Sequence, residues 1–144
     1  MLTLDGVIQT TDRDEFSYQE MMVHVPMCAH PAPKRVAVIG AGDGGILREI
    51  VKHESVEKVD HCEIDKAVCD VSRKFLPNLA QGLDHPKVNT LFADGAAWLQ
   101  KNKGVYDIVI VDSSDPIGPA STLFEEQFYV TLKESLAPGG IICT

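Results

Sequence analysis

The sequence has little that could staple or metallate a fold. Its four cysteines (Cys28, Cys62, Cys69 and Cys143) form neither a C-x-x-C pair nor a dense framework, so reduced thiols in a cytoplasmic protein are the expectation. The five histidines are scattered, with no H-x-x-x-H and no cysteine at metal spacing, so no metal is expected. Positive charge is scarce: 13 Lys and Arg face 21 Asp and Glu, for a net charge of −8. That balance argues against nucleic acid and anionic membrane as partners. No apolar run approaches the ~20 residues of a membrane span. The opening Met-Leu-Thr-Leu-Asp-Gly lacks the basic region and apolar core of a signal peptide. Repeats and low-complexity segments are absent as well.

What is present suits one globular domain, with 44% hydrophobic and 24% charged residues in 144. LTLDGVIQ sets Asp5-Gly6 between two β-rich runs, a hairpin signal. Ser17-Tyr-Gln-Glu20 fits a capping box, which predicts a helix from Ser17 until Pro26 disturbs it. HPAPKR, residues 30–35, reads as a stiff connector. Strands and helices then alternate: RVAVIG, the helix of residues 45–53, KVDHCEID, the helix AVCDVSRKFL, KVNTLFAD, the short helix GAAWLQKN, YDIVIVD, a helix over 123–136, and GGIICT opening a fifth strand. This order means an α/β fold, a doubly wound, mostly parallel sheet covered on both faces.

In such sheets ligands bind beyond the carboxyl ends of the strands. The residues there are Gly40-Ala-Gly42-Asp43-Gly-Gly45, Glu63-Ile-Asp65, Asp94-Gly95 and Asp112-Ser-Ser-Asp115. Each of the four strand ends carries a carboxylate. GAGDGG follows a strand, opens a helix and has Glu63 about 20 residues on, the pattern of a ribose-binding acid behind a glycine loop. NAD and S-adenosyl ligands fit the pattern equally, and a ligand-free tight turn fits it too. Asp43 favours the S-adenosyl type, because a carboxylate at that helix N-terminus repels a pyrophosphate and attracts a sulfonium or amine. It could also turn away and cap its helix. Asp65 reads as an N-cap. Asp94 reads either as an acceptor for an adenine amino group or as another cap.

Asp112 and Asp115 lie three residues apart in VDSSDPIGP, a turn stiffened by Pro116 and Pro119. They can face one cleft and take two ammonium groups, or they can cap their own loop as Asx-turns do. A carboxylate pair beside an electrophilic sulfonium suggests amine alkylation. Stripping an amine of pKa near 10.4 at neutral pH costs about 4–5 kcal/mol. A carboxylate that takes the proton during attack contributes ~10²–10⁴-fold.

GAGDGG, HCEID, ADGAAW and VDSSDPIGPA, preceded by LDGVIQTTDRDEFSYQEM, resemble the polyamine aminopropyltransferases of the spermidine synthase type. The resemblance covers nearly the whole chain and implies a class I S-adenosylmethionine-methyltransferase-like Rossmann fold. It implies that the aminopropyl group of decarboxylated S-adenosylmethionine, a co-substrate, passes to putrescine, giving spermidine and 5′-methylthioadenosine with no prosthetic group. By position it makes Asp112 the general base, Asp115 an anchor for putrescine, and Tyr18 part of the amine site. Gln19 and Asp43 would contact the aminopropyl donor, Glu63 its ribose and Asp94 its adenine, with Gly40, Gly42 and Gly95 also among the donor-binding residues. Residues 112–122 resemble the family's gate, and a homodimer is implied.

Three features depart from the family. Ala41 replaces the middle of three glycines, which is tolerable if its φ is negative. Residues 1–12 look like the remnant of an N-terminal β-domain, which normally supplies a further donor-binding glutamine. Residues 13–144 form the Rossmann-like domain, ending in the fifth strand before a family tyrosine of the amine site. The expectation is that this 144-residue piece alone is a poor enzyme with an exposed sheet edge. Rival readings are a putrescine N-methyltransferase-like enzyme and a catalytically silent nucleoside-binding or dimerisation relative, with NAD-dependent oxidoreduction more distant. The residues do not choose between putrescine and longer amines.

Overall fold

A computed structural model describes residues 1–114 and 118–144. The opening forms the hairpin foreseen at Asp5-Gly6: β1 (Leu2–Leu4) pairs antiparallel with β2 (Val7–Thr10). Both turn residues have positive φ, 49° at Asp5 and 81° at Gly6, as a two-residue hairpin turn requires.

Helix α1 (Glu15–Ala29) corrects two expectations. Ser17 is not the N-cap. The Glu15 amide donates to Thr11 O and the Ser17 amide to Asp14 O, so the first turn closes three residues earlier and places Ser17 inside it. Nor does Pro26 end the helix, because the His30 amide still donates to Pro26 O at 3.1 Å. A proline removes one amide donor, and buried Val23, Pro26 and Met27 pack this stretch into the core.

The main sheet is wholly parallel. It comprises β3 (Arg35–Gly40), β4 (Lys58–Glu63), β5 (Val88–Phe92), β6 (Tyr106–Asp112) and β7 (Leu136–Cys143), in the spatial order β5-β4-β3-β6-β7. The first strand in sequence therefore sits centrally and the order reverses beside it, between β3 and β6. Helices α2 (Gly45–Ile50), α3 (Lys66–Phe75), α4 (Pro77–Ala80), α5 (Gly95–Leu99) and α6 (Glu126–Ser135) connect the strands. Helix α2 stops three residues short of the expected His53. Helix α6 starts at Glu126 rather than 123, because a 3-10 turn occupies Gly118–Phe124.

Strand alternation builds two cores. Val36, Val38, Ile108 and Ile110 face α1 and α2 with Val23, Ile46, Leu47 and Ile50. Ala37, Ile39, Val109 and Val111 face α5 and α6 with Leu99, Phe128 and Leu132. A strand buried on both faces reads as an unbroken apolar run, which is why RVAVIG and DIVIV look as they do. Among the described residues no helix is long and apolar enough to cross a membrane.

Candidate active site

Beyond the carboxyl ends of β3, β4, β5 and β6 lies one cavity of about 1120 Å³. The hairpin supplies one wall and the start of α1 another. Tyr18, Gln19, Gly40, Gly42, Asp43, Glu63, Asp94, Gly95 and Asp112, all singled out from the sequence, line it together. Asp115 lies outside the described residues, as does the middle of the expected gate.

The glycine loop is shaped by close approach. At Gly40, φ is 78° and an added Cβ would stand 1.9 Å from the Asp112 carbonyl oxygen, so no side chain fits. Ala41 has a φ of 60°, so the condition under which an alanine is readily tolerated there is not met. Its amide donates to Asp112 O at 3.1 Å and its carbonyl accepts from the Gly44 amide at 3.0 Å. These two bonds hold the alanine in the left-handed region against a local cost of about 1–2 kcal/mol.

Asp43 bonds the start of α2 and also lines the cavity. Its Oδ1 accepts from the Gly45 amide at 2.8 Å at the start of α2, and its Oδ2 accepts from Gln19 Nε2 at 3.2 Å inside the cavity. The Gln19 side chain packs against Gly45, where an added Cβ would meet Gln19 Cδ at 2.6 Å. Gln19 is 2% exposed, and its Oε1 has no hydrogen-bond partner among the described residues. A buried acceptor left open at a cavity wall is costly unless a ligand satisfies it.

Tyr18 donates its hydroxyl to Asp112 Oδ1 at 2.7 Å. Burial, then the Asp112 charge, pushes the Tyr18 phenol upward, so it remains a donor. Burial also pushes the Asp112 carboxyl up to about 6; the Tyr18 bond opposes this shift, whereas Asp43 and Glu63 add to it. Burial raises Glu63 and Asp43 too, against the amide bonds they accept; for Glu63 these include Asp65 N at 2.9 Å. Among the described residues, none of Asp43, Glu63, Asp94 and Asp112 forms an ion pair with Lys, Arg or His. The cavity thus holds several carboxylates met by neutral donors and suits a cation. Asp65 caps α3 as expected, accepting from Ala67 N, while Asp94 caps α5 through Oδ1 and Ala97 N at 2.9 Å.

The sequence reading missed the strut behind this wall. Arg48 on α2 donates from Nη1 and Nη2 to both Glu15 oxygens, at 3.0 and 2.8 Å, and from Nε to Glu49 at 2.8 Å. It ties the first turn of α1 to α2 and so presents Tyr18 and Gln19 to the cavity. The partners are 33 residues apart, and no local pattern marks them.

The parallel sheet, its strand order and the loop after its central strand define a Rossmann-like fold of the class I methyltransferase kind. The spermine/spermidine synthase domain matches residues 15–144, and the chain belongs to that family. It is 59% identical over 144 residues to spermidine synthase of Dictyostelium discoideum, covering all of this chain and 51% of that protein. It is 55% identical over 145 residues to spermidine synthase 2 of Arabidopsis thaliana, covering 43% of that protein. The chain thus spans about half the length of the curated relatives it matches. A solved spermidine synthase in complex with the transition-state analogue AdoDATO superposes with a TM-score of 0.95 at 45% identity, covering 97% of this chain and 48% of that one. Spermidine synthase from Thermotoga maritima gives a TM-score of 0.91, also at 45% identity, covering 97% of this chain and 47% of that one.

Proposed function

We propose that this protein transfers the aminopropyl group of decarboxylated S-adenosylmethionine to putrescine, forming spermidine and 5′-methylthioadenosine. The observation that carries this reading is the Tyr18–Asp112 pair at 2.7 Å, set among carboxylates in a cavity large enough for a nucleoside. The AdoDATO complex of the 45% identical spermidine synthase supports the same pair of ligands.

In this reading the amine nitrogen attacks the donor carbon bound to the sulfonium. The N–C bond forms, the C–S bond breaks, and its electron pair neutralises the sulfur. Asp112 accepts the proton that the nitrogen sheds. An ordinary aspartate is a weak base for an amine near pKa 10.4. Raised to about 6, Asp112 narrows that gap while remaining ionised at neutral pH. Tyr18 occupies Oδ1 and leaves Oδ2 to the amine. Asp115 is the proposed second anchor for the acceptor. Glu63 would take the ribose hydroxyls and Asp94, with Gly95, the adenine edge. Gly40 and Gly42 let the loop come close to the donor, and Gln19 Oε1 gains a partner in the donor's ammonium group.

We assign residues 13–144 to this catalytic unit and residues 1–12 to a separate β-unit that closes the nucleoside side. The protein is read as a cytoplasmic homodimer, which sedimentation of the purified protein tests. The reaction is tested by product analysis with decarboxylated and ordinary S-adenosylmethionine and several amines. Spermidine from putrescine and the decarboxylated donor is expected; methylated putrescine, or no turnover at all, would overturn the assignment.

A further inference from the structure

The glycine loop is held from behind by a side chain that lines no part of the cavity. His61 sits on β4, opposite Val38 of β3 and Thr90 of β5, and is fully buried. Its Nε2 lies 2.7 Å from the Gly40 carbonyl oxygen and its Nδ1 3.0 Å from Thr90 Oγ1. A carbonyl oxygen only accepts, so Nε2 must carry the hydrogen. In the neutral ring Nδ1 then presents a lone pair, and the Thr90 hydroxyl donates to it. Burial pushes the imidazole down to about 4, so the ring stays neutral where proteins usually work. From Gly40 the chain passes straight to Ala41, whose amide donates to the Asp112 carbonyl at 3.1 Å. One line of hydrogen bonds therefore runs from β5 through β4 and β3 to β6, behind the whole site.

We infer that His61 is a positioning residue for the glycine loop: its Nε2–H tautomer, selected by Thr90, pins the Gly40 carbonyl and fixes the Gly40–Ala41 turn against the Asp112 strand. The imidazole does for the loop what a second backbone ladder could not, because Gly40 is where the chain leaves β3. That the loop carries an aminopropyl donor rests on the proposed function; the tautomer and its hold on Gly40 do not.

The test compares His61→Leu, which removes the donor, with His61→Gln, which returns an N–H near the Nε2 position, and with Thr90→Val, which removes the tautomer lock. In the intact protein, KM for decarboxylated S-adenosylmethionine should rise about tenfold in His61→Leu and about threefold in Thr90→Val, and stay within about twofold in His61→Gln. KM for the amine should stay within about twofold throughout, a split that loss of stability alone does not produce. A glutamine variant as impaired as the leucine one, or donor and amine KM rising together, would overturn the inference. If the wild-type protein does not use this donor at all, the functional reading fails by itself. Nitrogen-15 NMR of labelled histidine then decides the matter, and it does so equally if His61→Leu fails to fold. A protonated Nε2 and bare Nδ1 are expected, with the Ala41 amide resonance moving in Thr90→Val; a protonated Nδ1 or an unmoved amide overturns it.

Discussion

The two ends of one parallel sheet treat carboxylates in opposite ways. At the amino end, Asp60 lies 2.8 Å from Lys58 Nζ and 3.9 Å from Arg35 Nη2, and it accepts from Asn89 Nδ2 and the Tyr106 hydroxyl. Nearby, Asp107 Oδ2 takes the amides of Lys34 and Arg35 at 2.8 and 2.9 Å. At the carboxyl end, the hydrogen-bond partners of Asp43, Glu63 and Asp112 among the described residues are amides, an amide side chain and a phenol, and all three acids are pushed upward by burial. Asp60, balanced by its own cations, helps hold the fold together. Acids left without one keep a site whose charge a ligand must complete.

Asp112→Asn breaks the contrast most severely. It should lower turnover by about 10²–10⁴-fold. The same change should raise the melting temperature at neutral pH, since an acid whose folded pKa is raised costs stability once ionised. Turnover by the wild type should fall with acidity as pH drops through about 6, where Asp112 takes up its proton. Stability moves the other way: this group's contribution is fully present below its ordinary pKa and is lost as pH rises through about 6. A pH–rate profile beside a pH–melting series checks both signs, and parallel movement would refute the assignment.

Asp43→Asn should narrow the proposed preference for decarboxylated over ordinary S-adenosylmethionine. Two anions at ~4 Å repel by about 4 kcal/mol at an effective dielectric of 20, so up to about a thousandfold of selectivity is at stake. Calorimetric titration with both donors measures it, and an unchanged ratio sinks the idea.

Asp60→Ala probes the opposite end. It should cost about 1–3 kcal/mol in urea unfolding, because Tyr106 and Asn89 lose a buried acceptor. Turnover of the folded fraction should stay near wild type. The smallest effect belongs to Ala41→Gly, which relieves a left-handed alanine but frees the unfolded chain. A net gain of about 0.5 kcal/mol is expected, read as a shift in the unfolding midpoint.

The fold was largely legible because its signals are local. Asp5-Gly6 encodes its turn, and four apolar runs each followed by an acid encode strands that point one way. Two errors arose where tertiary packing outweighed local signals. Ser17 and Glu20 match a capping box, yet α1 begins at Glu15, where the Arg48 pair holds its first turn. Pro26 should stop a helix, yet α1 runs on through it with Val23 and Met27 packed in the core. The site was legible as a set of residue types, and Asp43 shows the limit. Whether it bonded the start of α2 or turned into the cleft could not be read from GAGDGG; one oxygen takes the Gly45 amide and the other meets Gln19 in the cavity.

The sequence by itself determined the order of strands and helices, the acid at each strand end and the glycine that must end β3, since each depends on residues near one another in the chain. Only the tertiary structure decided that Tyr18 would meet Asp112, 94 residues away, and that Arg48 would brace α1. It alone settled the positive φ of Ala41 and the contact of His61 with the Gly40 carbonyl. Burial and distance set those outcomes. Desolvation raises a carboxyl, and a hydrogen bond fixes a tautomer, only once distant segments have closed over them.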